Sequence, residues 1–210
     1  TVTNSSTPVT VTGLTNVVKI SSGIYHTCAL RSDGTIWCWG YNFNGELGSG
    51  DANGAMSSYL PVLVVGGHTF TSLAAGGDHT CGVDTAGAAW CWGYNLYGQL
   101  GDGDSLRTIS RTPVAVSGGH TFAAITAGGT FTCGVDTARL AWCWGEDYYG
   151  QLGDSDPVGM NKGSPAAVAG GHLLASISAG ASHACALDLA GTPWCWGLGK
   201  YGQLGDGVAN

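Results

Sequence analysis

Charge is scarce in this chain: 10% of its 210 residues are Asp, Glu, Lys or Arg, and only seven are Lys or Arg. A formal charge of −7 with so few cations leaves no basic stripe to neutralise phosphates or anionic lipid, so nucleic acid is not an expected partner. No apolar run is long enough to span a bilayer as a helix. The sequence also lacks a nucleophile elbow, a His-Glu-x-x-His motif, a P-loop and any Cys-x-x-Cys, so no catalytic residues, no cofactor and no metal centre are expected.

What the chain has in abundance is glycine, 37 residues, together with eight cysteines and eight tryptophans that share one pattern. A segment of about fifty residues occurs four times, which is the mark of a repeat architecture. Each copy pairs two cysteines: Cys28 with Cys38, Cys81 with Cys91, Cys133 with Cys143, and Cys185 with Cys195. Every tryptophan flanks the second cysteine, as in Trp37-Cys38-Trp39 and Trp90-Cys91-Trp92. Gly-Glu-Leu-Gly or Gly-Gln-Leu-Gly follows, and a Pro-Val or Pro-Ala step opens the next unit at Pro61, Pro113 and Pro165, with Pro8-Val9 as the first counterpart. The units are accordingly 1–60, 61–112, 113–164 and 165–210, one continuous array whose cores lie between neighbours.

Cysteines ten apart with a turn between them suit a β-hairpin with a three-residue loop. Taking Ser32-Asp33-Gly34 as that loop places Cys28 opposite Cys38, Ala29 opposite Trp37 and Thr27 opposite Trp39, close enough for the sulfurs to bond. Gly34, Gly87 and Gly191 take the left-handed turn position, and Arg139 occupies it in the third unit, where strain is expected. Two other readings stand beside the disulfide. Thiolates with His26, His79 and His183 could bind zinc, although each unit offers one aligned pair and not four converging ligands. Buried free thiols in a reducing compartment are the other.

Alternation along the hairpin puts the cysteines on one face and the tryptophans on the other, so both faces are apolar and both need cover. An array of small sheets supplies it, the tryptophans of one unit packing on the disulfide side of the next. Each unit has room for four strands: the Pro-Val segment, a Val17-Val18-Lys19-Ile20 type segment, and the two hairpin arms. The fold expected is all-β, a propeller-type array of four blades, open or completed by another chain.

Gly23, His26, Ala29, Leu30, Asp33, Gly34, Trp39, Gly40, Asn42, Gly45, Leu47 and Gly48, with their counterparts in the later copies, resemble the regulator of chromosome condensation repeat. That resemblance covers nearly the whole chain and implies a β-propeller, usually of seven blades. The paired cysteines depart from the intracellular members and look like an extracellular or cell-surface branch stapled blade by blade. The family includes an exchange factor, chromatin binders and secreted β-lactamase inhibitors, so its fold does not settle a function. The acidic balance argues against the chromatin role.

The histidines recur in register, at His26, His79 and His183 and again at His68, His120 and His172, as structural residues do. Asp102-Gly103-Asp104, Asp154 with Asp156, and Asp206-Gly207 read as solvated turns, with calcium as the alternative. Asn4-Ser5-Ser6 is a formal glycosylation sequon. The copies differ most after Gly-Gln-Leu-Gly, where Arg107, Arg111 and Lys162 lie, and a partner-binding face is expected there. Pro8, Val9 and Val11 form a spare copy of a strand that the fourth unit lacks. Self-association by head-to-tail strand addition through Thr7 to Thr12 is therefore expected, giving a fibre or a multi-chain ring. The class of function expected is a non-catalytic extracellular structural or adhesive protein. The alternatives are a secreted inhibitor or recognition protein that uses its loops, and part of a longer ring.

Overall fold

A computed structural model describes residues 4–51, 54–104 and 108–208, and these contain fifteen strands and no helix. The first sheet is β1 (Val17–Ser22), β2 (His26–Arg31), β3 (Ile36–Tyr41) and β4 (Ser57–Leu63). The second is β5 (Phe70–Ala75), β6 (His79–Asp84), β7 (Ala89–Tyr94) and β8 (Ile109–Ala115). The third is β9 (Phe122–Ala127), β10 (Phe131–Asp136), β11 (Ala141–Gly145) and β12 (Lys162–Ala167), and the fourth stops at three strands, β13 (Leu174–Ala179), β14 (His183–Asp188) and β15 (Pro193–Gly197). Within each sheet the strands are antiparallel and in chain order. The first strands of adjacent sheets (β1, β5, β9, β13) neighbour one another along an axis, so the sheets radiate as propeller blades. The ring is open, because the fourth sheet packs on the third and not on the first.

The hairpin register is the expected one: Cys28 faces Cys38, Ala29 faces Trp37 and Thr27 faces Trp39, and the same holds in the other three units. Arg139 sits at φ 70° where Gly34, Gly87 and Gly191 sit at 81°, 81° and 83°, so a side chain is held in the left-handed region. The turn keeps that conformation because its carbonyl accepts the Leu174 amide of the next blade at 2.8 Å, as Gly34 and Gly87 accept those of Phe70 and Phe122.

Two expectations need correction. The Pro-bearing segment closes the sheet before it instead of opening the next, since Val62 lies opposite Cys38, Val114 opposite Cys91 and Ala166 opposite Cys143. The first strand already occupies one edge of each hairpin, so the chain leaving the second arm folds back along the only free edge. The blades therefore span 17–63, 70–115, 122–167 and 174–197, offset from the sequence units, and Pro8–Val11 forms no strand.

The tryptophans, moreover, look back and not forward. Trp92 packs with Cys28, Cys38, Leu47 and Phe70 of the 1/2 interface, and Trp144 packs with Cys81, Cys91, Leu100 and Phe122 of the 2/3 interface. Trp196 repeats this on Cys133 and Cys143. Alternation assigns two apolar faces to a hairpin, but which one turns toward the preceding blade depends on how the sheets wind around the axis. The outer tryptophans lie at the margin of these cores: Trp90 and Trp142 are half-buried and pack against them, Trp194 is 39% exposed, and each is hydrogen-bonded to an aspartate of its own blade.

Candidate functional site

All eight cysteines are joined in four disulfides, each within one blade with Cα atoms 4.1 Å apart, which leaves no thiol for zinc. Among the described residues no three His, Cys, Asp or Glu side chains are grouped to hold a metal ion. The in-register histidines are packing groups. His68, His120 and His172 stack on Trp90, Trp142 and Trp194 at 3.9, 3.9 and 3.7 Å. Burial lowers the pKa of His26 to about 4, and burial with the nearby His26 lowers that of His79 to about 3, so both rings are neutral at ordinary pH.

Polar chemistry is concentrated between blades. The Glu46 carbonyl, within the first blade's Gly45-Glu46-Leu47-Gly48 turn, accepts Trp92 Nε1 at 2.8 Å and Thr80 Oγ1 at 2.9 Å. The Gln99 carbonyl accepts Trp144 Nε1 at 3.0 Å and Thr132 Oγ1 at 2.9 Å, and Gln151 accepts Trp196 Nε1 at 3.0 Å. The histidine of each blade reaches the threonine of the next, His26 to Thr80 and His79 to Thr132, both at 2.8 Å. At the 3/4 interface the pair changes together, since Phe131 and Ala184 replace histidine and threonine and both are fully buried. Near the axis, backbone amides step around the arc from Ile24 to Gly77, Gly77 to Gly129 and Gly129 to Ala181.

That pattern breaks off at the two ends of the arc. At the first blade Ile20 is 59% exposed, whereas its counterparts Leu73 and Ile125 are 1% and 5% exposed. Trp39 is half-buried where Trp92 and Trp144 are fully buried. At the fourth blade Cys185 and Cys195 are half-buried, unlike the six fully buried cysteines before them, and Leu187 is 44% exposed. One end thus presents a tryptophan face and the other a disulfide face.

The residues expected to bind a partner fall into three groups. Pro8 and Val9 are exposed and Val11 is half-buried, in a stretch with no strand. Arg111 lies on β8 and reaches back to the first blade, its guanidinium donating to the Asn42 and Phe43 carbonyls at 3.3 and 3.1 Å. Lys162 contacts Asp156 and lies 3.8 Å from Asp154, within its own loop. Arg107 lies outside the described residues. The last loop contains a local anomaly. In the second blade Asn95 Nδ2 donates to Asp102 at 3.4 Å, whereas the third blade has Asp147 and Asp154 at those positions, each with a buried Oδ2 that accepts no hydrogen bond, that of Asp154 having Lys162 Nζ 3.8 Å away. Burial foremost, with Asp154 nearby, raises the pKa of Asp147.

Residues 17–46, 70–99 and 174–203 match the regulator of chromosome condensation (RCC1) repeat, and residues 33–83 and 86–135 match it by a second description of the same repeat. The chain is 31% identical over 193 residues to the ultraviolet-B receptor UVR8 of Arabidopsis thaliana, an alignment covering 91% of this chain and 43% of UVR8. Yeast RCC1 (Prp20), solved bound to Kap60, superposes with a TM-score of 0.80 at 20% identity, over 93% of this chain and 47% of that one. The ectodomain of the Physcomitrella patens receptor kinase CR4 gives 0.58 at 25% identity, over 86% and 41%. The chain spans less than half the length of each of these three.

Proposed function

Because this chain belongs to the regulator of chromosome condensation (RCC1) repeat family, we propose that it acts as a non-catalytic protein-interaction arc of a β-propeller, in an extracellular or cell-surface setting. The observation that carries this reading is one disulfide buried in each interblade core, which suits an oxidising compartment. The likeness to a receptor ectodomain supports the same setting. Its role is structural or adhesive, because the polar side chains that recur along the array are used between blades and leave no constellation for chemistry among the described residues. The array works as one continuous unit, each blade covering its neighbour's apolar face.

The end faces favour a second reading, in which the four blades are a sector of a larger single-chain ring. Further blades of the same type would then cover the Trp39 face and the Cys185–Cys195 face. Recognition of another protein through Arg107, Arg111 and Lys162, which follow Gly-Gln-Leu-Gly, is compatible with either reading, and Pro8, Val9 and Val11 are the residues proposed for self-association by strand addition.

Non-reducing peptide mapping of chain secreted into an oxidising compartment tests the first reading. Four bridges, each inside one blade, are expected. Free thiols, or a bridge between blades such as Cys38 to Cys81, would remove it.

A further inference from the structure

We infer that a cleft on the rim between the first and second blades binds a small organic cation with a trimethylammonium head, whatever completes the arc. The cleft is lined by Tyr25, Tyr41, Asn44 and Asp78. The Tyr41 amide donates to the Tyr25 carbonyl at 2.9 Å, which ties the turn after β1 to the end of β3 and brings the two rings together. Their centroids are 6.1 Å apart at 65°, so they form a corner, and Phe43 extends it by stacking on Tyr41 at 6.3 Å and 24°. All three rings are exposed, that of Tyr25 belonging to a residue 70% exposed. The second blade contributes Asp78, which is half-buried and takes part in none of the ion pairs among the described residues.

The corner departs from the repeat in three places at once. In the later units the position of Asn44 is Tyr97, Tyr149 and Tyr201, and that of Glu46 is Gln99, Gln151 and Gln203. There the tyrosine amide donates to the glutamine Oε1 at 3.0, 2.8 and 2.7 Å. In the second blade the Tyr97 ring also packs edgewise with Tyr94, the counterpart of Tyr41, at 6.4 Å and 73°. Asn44 removes that ring from the first blade, and its short side chain is drawn to Glu46, Nδ2 donating to Oε1 at 2.8 Å and the backbone amide to Oε2 at 3.0 Å. Glu46 brings a buried carboxyl where the other units have an amide. Asp78 brings a second, at a position held by Tyr25, Thr130 and Ser182 in the other units. One change thus makes space and two add acid at the same interface. Burial raises the pKa of both carboxyls, and the nearby Asp78 adds to the rise at Glu46, so a cation in the cleft would relieve both.

Ring faces beside a carboxylate select the class of ligand. An aromatic face attracts a cation within about 6 Å of its centroid, and a trimethylammonium suits it because methyl groups carry the charge and shed water easily. A metal ion fits less well, since it needs about six oxygen ligands and both Glu46 oxygens are engaged by Asn44. Arg111, the cation of the adjoining strand, is held by the Asn42 and Phe43 carbonyls and does not line the cleft. Anionic ligands are repelled by the two carboxyls.

Isothermal titration calorimetry with choline on the full chain should give a dissociation constant of about 1 mM or tighter. The uncharged tert-butyl isostere of choline should bind at least about tenfold more weakly, because it fills the corner without the charge. Tyr41→Leu and Asp78→Asn should each weaken choline about tenfold. Asn44→Tyr combined with Glu46→Gln gives the first turn the residues of the other three units and should abolish binding. Circular dichroism melts separate loss of the cleft from loss of the fold, and Asp78→Asn, which keeps size and shape, decides the matter where a larger change unfolds the chain. Phosphatidylcholine vesicles carry the same head beside a phosphate and should not cosediment the chain, so cosedimentation would overturn the assignment to a free ligand. Equal binding of choline and its isostere, no binding at about 20 mM choline, or full binding by Asp78→Asn or by the Tyr–Gln double variant would each overturn the inference. None of these outcomes touches the interaction-arc reading, which rests on the disulfide map.

Discussion

Replacing Trp92 by Ala tests the interblade core more sharply than any other single change, because the same motif position is occupied at an open end by Trp39. Trp92 is fully buried, its ring packs on the Cys28–Cys38 bridge and lies 6.1 Å from Phe70, and its Nε1 donates to the Glu46 carbonyl at 2.8 Å. The fit is close: a Cβ added at Gly48 would come within 2.8 Å of that nitrogen, so the turn cannot sink into the space without moving its backbone. Deleting a buried aromatic of this kind costs about 3 to 5 kcal/mol, from lost transfer energy and a cavity that collapses incompletely. Trp39 is half-buried and faces no preceding blade within its own chain, so Trp39→Ala should cost about 1 kcal/mol or less in an isolated arc. Urea unfolding followed by circular dichroism, at a concentration low enough to hold the chain monomeric, compares the two. Equal losses would refute the reasoning, because they would mean that stability follows the motif and not the blade packed behind it.

Other outcomes follow from individual sites. Arg139→Gly should stabilise by about 1 kcal/mol, read as a shift in the urea midpoint, since glycine adopts the left-handed conformation without the Cβ penalty that Arg139 bears at φ 70°. Asp147 has its pKa raised in the fold, by burial first, so its stabilising contribution is complete below the unfolded carboxyl pKa and is lost as pH rises through the folded value. Asp147→Asn should therefore stabilise by about 1 kcal/mol at pH 7, by supplying the donor that Asn95 gives Asp102, and its advantage should fade toward pH 4 in paired melts. His26 and His79 act in the opposite sense. Their folded pKa values, lowered to about 4 and about 3, make stability full above the unfolded value of 6.5 and progressively lost below it, so His79→Phe with Thr132→Ala should flatten acid denaturation followed by fluorescence. Reduction of the bridges should lower stability by roughly 2 to 3 kcal/mol per blade on the chain-entropy account, measured as a drop in melting temperature with added reductant.

Strand register was legible because it is local: a three-residue turn with glycine at its left-handed position fixes every cross-strand pair of the hairpin, and the cysteines ten apart could then meet in only one way. What lay beyond the hairpin was less so. The Pro-Val segment stands between two hairpins in the sequence, and periodicity alone cannot assign it to the one before or the one after. Edge availability decides, and that is a property of the assembled sheet. Which blade the tryptophans face was hidden for the same reason. One signal could have been read without coordinates, the joint change of histidine to phenylalanine at Phe131 and threonine to alanine at Ala184. Two positions 53 residues apart that change together in a repeat must touch across the interface, because a lone buried hydroxyl or imidazole would lose its partner at a cost of about 1 to 3 kcal/mol. The same logic extends to residues whose side chains meet no such partner among the described residues. His183 and Thr27 keep the polar form of the pair at opposite ends of the arc, so the chemistry of the three interfaces inside the chain specifies what a fourth must offer.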